Sequence, residues 1–360
     1  MADLLREEPY AVRRALDHVR GLSDGPALDP VLRVTLNFHP DRLVRGVPLL
    51  QVMAQDGVYR SQFETGTSNG GLTARRGGDR WLWESRIFGG AYDGAEPSLR
   101  PKYGALDLHR RGYGAAPRFG SAHVRLTGQS LARTTFCFPD SVFEPEHFGT
   151  ATAFGLMAVA DAAEHDLLDD YVEAHVHGVV DFARDVEALV LDPGYRGTDV
   201  EADARRIGPP VEWHPGYRLD VGTLRAHPDF RGSDIVALGE SLAEDGVVTP
   251  QVIGAAARAG RHDEQALKRV WHYSRASARH RRDARTRHAV ECPLAYVREW
   301  ALDSLGVTTV VTTAVTSVAG SFDGAPLGAL ARVDPPCRFG FSSTPRRPGV
   351  TTLVTTVVDA

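Results

Sequence analysis

Cysteine is scarce in this 360-residue chain, which has three, Cys137, Cys292 and Cys337, widely spaced and without a CxxC pair. That usage excludes a disulfide scaffold or a finger-type zinc framework and leaves buried thiols. No apolar run is long enough to span a bilayer, so no membrane partner is expected. The opening stretch, MADLLREEPYAVRRALDHVRGL, is charged and helical in period and lacks the apolar segment of a signal peptide. Neither sign of charge dominates: 41 Lys and Arg oppose 46 Asp and Glu, for a net charge of -5. This balance gives no electrostatic case for binding nucleic acid or an anionic membrane. No GxGxxG motif sits between a strand and a helix, and no HExxH or HxE…PCxxC pattern occurs. Lysine is rare beside arginine, while Ala, Gly and Pro are abundant, as in high-GC bacteria. The expectation is a bacterial cytoplasmic protein, with delivery as an effector left open.

A hydrophobic content of 42% is enough for an ordinary core. The length suggests two domains, or one with a large appendage. Residues 1–30 read as a helical segment, with Leu5, Val12, Ala15 and Val19 on one face. VLRVTLNFHP is a β-branched run that ends as a strand at Phe38 and His39. DRLVRGVPLLQVMAQDG reads as a helix, VYRSQF as a short strand, and ETGTSNGGL as a loop. Residues 73–100 show few periodic signals; RPKYGALDL follows, then a loop, then SAHVRLT and RTTFCFP as further strands. Residues 150–170 read as a helix, with strands at 171–177 and 186–191. Residues 201–275 form a helical region in which Thr249 and Asp263 are the expected N-caps. Residues 276–360 are first basic and then low in complexity, with Thr/Val repeats that find no clear place in a core.

The most specific stretch is YVEAHVHGVVDFARDVEALVLDP, residues 171–193. Alternate side chains of a strand share a face, so Glu173, His175 and His177 line up together. Two uses stand open. The three could hold a metal, since neutral imidazoles and a carboxylate suit Zn, Fe or Ni. Alternatively, Glu173 stabilises a cation while the histidines form its wall. Ser121, His123 and Arg125 share a face as well, which suits solvent as readily as function. Trp213 and His214 suit packing.

His39, Tyr103 and Glu173, each on or beside its own strand and in that order, resemble the His-Tyr-Glu class of the ADP-ribosyltransferase fold. The resemblance covers about residues 30–192. Longer quoted segments (VYRSQFETGTSNGG, RPKYGALDL and RTTFCFPDSVFEPEHFGT) resemble a bacterial family known as a domain of unknown function, over about residues 5–275. The first resemblance implies an α/β (α+β) protein with a split β-sheet core covering residues 31–200 and a helical carboxyl-terminal region. It implies cleavage of NAD, bound as substrate, at the nicotinamide–ribose bond. ADP-ribose would pass to an unknown acceptor: a protein, a nucleic acid or a small molecule. Glu173 would be catalytic, and His39, Tyr103, Arg60, Ser61, Thr67, Ser68 and His175 would bind the cofactor, with no metal. Such cleavage develops an oxocarbenium-like charge that a carboxylate stabilises most in the transition state. Tyr171 stands where arginine-modifying members carry Glu or Gln, which speaks against arginine as the acceptor. The alternatives are a metal-dependent hydrolase using Glu173, His175 and His177, and a non-catalytic NAD- or nucleotide-binding protein. Acceptor, oligomeric state and biological role are not legible.

Overall fold

The computed structural model describes residues 8–66, 73–110, 112–163 and 171–286, together with the backbone at 301–302 and 308–309. The chain divides into two compact units, Met1–Ala295 and Tyr296–Ala360. In the second unit, Ala301–Leu302 pairs antiparallel with Thr308–Thr309. All that follows concerns the first unit.

Its centre is an eight-stranded mixed sheet. The strands are β1 (Val34–Phe38), β2 (Lys102–Leu106), β3 (Ala122–Leu126), β4 (Thr134–Phe138), β5 (His147–Thr150), β6 (Val172–Val176), β7 (Val186–Leu191) and β8 (Val211–Trp213). Their spatial order is β8-β7-β3-β1-β2-β6-β4-β5. Neighbours run antiparallel, except that β7 and β8 are parallel. The fold class is α+β, as expected. No helix among the described residues is long and apolar enough to cross a membrane.

The helices are α1 (Tyr10–Gly21), α2 (Leu49–Asp56), α3 (Gln62–Thr65), α4 (Asp79–Ile87), α5 (Leu156–Ala162), α6 (Phe182–Asp185) and α7 (Asp199–Arg206), followed by α8 (Val221–Ala226), α9 (Ser233–Leu242), α10 (Pro250–Ala259) and α11 (Glu264–Thr286). Thr249 and Asp263 accept backbone N–H groups at the starts of α10 and α11. The segment at 41–57 is not one helix. Arg45 and Gly46 both have positive φ and turn a small hairpin, Leu43–Val44 with Val47–Pro48, and the helix begins only at Leu49. The basic run expected to start a tail at 276 continues α11 to Thr286. Residues 31–200 and 201–275 lie in the same compact unit.

Each face of the sheet buries its own cluster. Leu36, Leu106, Val124, Phe136, Ala174 and Leu189 pack with Leu50 and Met53 of α2 and Leu156 of α5. Each of these side chains except that of Ala174 contributes about 1.5–3 kcal/mol relative to exposure. On the opposite face, Val12, Ala15, Leu16 and Val19 of α1 join Trp83 and Ile87 of α4 over Cys137. This second face is the one that carries Glu173, His175 and His177, because the alternate residues Val172, Ala174 and Val176 belong to the first. In the helical region, Trp271 of α11 is buried and donates from Nε1 to the Pro117 carbonyl at 2.9 Å, fastening α11 to the sheet half.

Candidate functional site

The sheet opens at its middle. β1 and β2 pair Val34 with Leu106 and Thr35 with Ala105, and the ladder stops there. Gly104 sits at the parting: a Cβ there would lie 2.4 Å from the Thr35 carbonyl oxygen and 2.5 Å from Leu36 Cδ2. A glycine therefore lets the two strands touch before they diverge. Beyond the parting lies a cavity of about 500 Å³, lined on one side by Asn37 and Phe38 and on the other by Lys102, Tyr103, Gly104 and Glu173. Leu49, Val52 and Met53 of α2 close it with apolar surface. Six basic side chains line it (Arg45, Arg60, Arg80, Lys102, Arg118, Lys268) against four acidic ones (Asp56, Glu64, Asp140, Glu173). This is the size and lining of a small-molecule site.

Glu173 is buried on β6 and held at both oxygens. Oε1 meets His175 Nε2 at 3.0 Å, and Oε2 accepts from the Ser141 hydroxyl at 3.1 Å. The same hydroxyl also lies 3.2 Å from Asp140 Oδ1 and accepts from Arg80 Nη1 at 3.2 Å. Two buried carboxyls thus share one serine and one guanidinium. Burial pushes the Glu173 pKa up, and Arg80, the Ser141 hydroxyl and backbone N–H, and a hydrogen bond from Asp140 act against that rise. Asp140 is raised by burial and by the neighbouring Glu173 charge to about 7. Because each carboxyl feels the other, their protons come off as from one coupled pair.

Arg80 forms the roof of this pair. Its guanidinium lies 4.1 Å from the centroid of the Tyr103 ring and 5.3 Å from that of Trp83. It is almost wholly buried, and its Nε has no hydrogen-bond partner among the described residues. The Tyr103 hydroxyl donates to Glu84 at 2.8 Å, and Glu84 pairs with Arg100 at 2.5 Å. Below Glu173, His175 Nδ1 meets the Thr135 hydroxyl at 3.1 Å, and that hydroxyl meets His177 Nε2 at 2.9 Å. His177 Nδ1 in turn meets the Tyr92 hydroxyl at 2.7 Å. Burial, then Arg80, lowers the His175 pKa to about 3, so its imidazole is neutral.

The residues singled out in the sequence divide. Glu173, Tyr103 and Arg60 line the cavity, and His175 supports Glu173 from behind it. Arg60 is itself held by Asp56 at 2.5 Å. Ser61 is spent on structure: its side chain caps α3 and donates to the Pro97 carbonyl at 2.7 Å. His39 lines an adjoining cavity of about 240 Å³, its ring edge-on to Trp271, and the two cavities share Arg118, Phe119 and Lys268. Thr67 and Ser68 lie outside the described residues. Sequence reasoning missed Asp140, Ser141 and Arg80. The first two follow a strand in FPDS, a polar turn like many others; the third lies in the stretch without apolar period.

A metal could find ligands here as well. Cys137, Glu173 and His175 each offer an atom within 4.8 Å of the others, all buried. His177, expected as a ligand, is not in this group. Its nitrogens face Thr135 and Tyr92.

A search of curated proteins finds no match. The sequence pattern of one family, described as "Protein of unknown function (DUF3626)", matches residues 33–164 and 156–280, a span that includes every residue of the cavity wall. The chain belongs to that family.

Proposed function

We propose that the protein binds NAD in the cavity beside Glu173, cleaves the nicotinamide–ribose bond and passes ADP-ribose to an acceptor, with water as the default. The setting of Glu173 carries this reading. A carboxylate on a central strand stands at the wall of a cavity that also presents a tyrosine ring and six basic side chains. Cleavage develops positive charge on the ribosyl carbon, and a fixed carboxylate stabilises that charge without reorganisation. The pyridinium ring of NAD is cationic, so its arrival favours the ionised form of Glu173 against burial. The diphosphate meets guanidinium groups of the cavity wall. His175 holds the carboxylate in place. His39 lines the adjoining cavity, which shares Arg118, Phe119 and Lys268 with this one. In this reading the enzyme works in a bacterial cytoplasm.

Nicotinamide release from NAD by the purified protein tests the reading. Glu173→Gln keeps shape and hydrogen bonding and is expected to slow release by about a hundredfold or more, the range for loss of one electrostatic stabiliser. NAD binding, followed by calorimetry, persists in the variant. NAD binding without release by the wild type would leave a binding module instead. The Cys137–Glu173–His175 group favours a second reading, a metal centre at the cavity wall. It requires a stoichiometric transition metal in the purified protein and activity lost to a chelator.

A further inference from the structure

Asp140 is the buried acid of the cavity that the preceding mechanism leaves unused. We propose that Asp140 is the proton acceptor of the site, and that the attacking group is a neutral hydroxyl, either water or an alcohol of the acceptor. The proposal rests on the NAD reading and adds a second catalytic residue and the chemical class of the acceptor. Asp140 lines the same cavity as Glu173, and one hydroxyl, that of Ser141, lies 3.2 Å from the first carboxyl and 3.1 Å from the second. The Val142 N–H donates to Asp140 Oδ1 at 2.8 Å and fixes the side chain. A hydroxyl attacking carbon needs a base within hydrogen-bond reach, because its proton becomes acidic only as the bond forms. Two adjacent carboxyls divide the labour: one faces the developing cation, and the other takes the proton.

The groups around Asp140 select the acceptor. Arg118 and Arg80 both pull its pKa down, Lys268 feels its charge, and Glu173, His175 and Cys137 complete the surroundings. A guanidinium or ammonium acceptor would have to approach Asp140 through Arg80, Arg118 and Lys268, whereas a neutral hydroxyl meets no such repulsion. In the step itself the C1′–N bond breaks, and its electron pair passes to the ring nitrogen, which leaves as neutral nicotinamide. The acceptor oxygen bonds to C1′, and its proton passes to the Asp140 carboxylate.

Azide separates the two carboxyls, because it attacks without losing a proton. Wild type, Asp140→Asn and Glu173→Gln are assayed with NAD, with and without sodium azide, and thermal melts confirm folding. Asp140→Asn is expected to lose about a hundredfold or more of the hydrolysis rate, in the range for general-base catalysis. Azide should restore release to within about tenfold of wild type with an azido-ADP-ribose product, and should not rescue Glu173→Gln. Asp140→Asn that hydrolyses NAD at the wild-type rate, or is folded yet not rescued by azide, overturns the proposal. If the asparagine variant fails to fold, a wild-type hydrolysis rate that shows no solvent isotope effect overturns it as well. Wild type that releases no nicotinamide at all overturns the NAD reading itself.

Discussion

At the scale of the residue, the buried charges beside the cavity are balanced in pairs, and each pair has a direction with pH. Glu84 is fully buried, accepts from Arg100 and Tyr103, and is raised by burial, against Arg100, to about 7. Its folded pKa lies above its unfolded value, so the stability it contributes is complete below about pH 4.5 and is lost as pH rises through 7. Removing Arg100 deepens that loss, because it was the group holding the pKa down. Arg100→Met is therefore expected to destabilise the protein by about 3–5 kcal/mol at pH 8, the range for breaking a buried pair. At pH 5 Glu84 is neutral in both proteins, and the deficit shrinks to the lost hydrogen bonds to neutral Glu84 and to the Tyr92 carbonyl and the lost stacking on Phe63. Urea unfolding at the two pH values checks this. An equal deficit at both would show that Glu84 carries no charge at pH 8.

At the scale of the element, the cavity exists because β1 and β2 part, and they part at Gly104. A valine there drives its side chain against the Thr35 carbonyl and the Leu36 side chain, both already within 2.5 Å of a Cβ. Neither strand can withdraw without breaking the ladder at Thr35 and Ala105. Gly104→Val is expected to cost more than the usual 1–3 kcal/mol of overpacking and to abolish the proposed NAD binding in whatever fraction remains folded. A variant with wild-type melting and NAD affinity would show that the parting does not depend on this contact. The same scale explains why α4 was not legible. Its buried positions are Arg80, Trp83, Glu84 and Ile87, which follow helical spacing faithfully. Two of the four are charged, so an apolar template finds nothing, even though the helix delivers the roof of the site.

At the scale of the whole molecule, two sets of buried titratable groups oppose each other. Glu84 and Asp140 are raised to about 7 and release stability as pH rises. His123 and His175 are lowered to about 3, chiefly by burial, and their contribution is complete above pH 6.5 and lost as pH falls towards 3. Between about pH 4.5 and 6.5 the net slope is the difference of the two sets. Removing one histidine should tilt it visibly. His123→Gln, far from Glu173 on β3, is expected to gain stability relative to wild type as pH falls across that window, by at most about 1.4 kcal/mol per pH unit. Melting curves of both proteins at pH 6.5, 5.5 and 4.5 check this, and parallel curves would mean that His123 is protonated in the folded protein.

From the chain alone one reads most strands and the face that carries the site. β-branched runs mark β1, β3, β4, β6 and β7, and a period of two puts Glu173, His175 and His177 on one side of β6 before any contact is known. Composition and motif absence exclude whole classes of partner, and N-cap chemistry marks the starts of α10 and α11. These properties are local, set by a few consecutive residues. What stands opposite Glu173 is not local. Ser141 meets it across 32 residues, and Arg80 meets Ser141 across 61. Which strands become neighbours depends on burying both faces of the sheet at once, under α2 and α5 on one side and α1 and α4 on the other. The same closure turned His39 towards Trp271 and the adjoining cavity, and committed Ser61 to capping α3. Spacing alone cannot tell a strand-end histidine that lines one cavity from one that lines the next, because Trp271, which the His39 ring meets, arrives more than two hundred residues later in the chain.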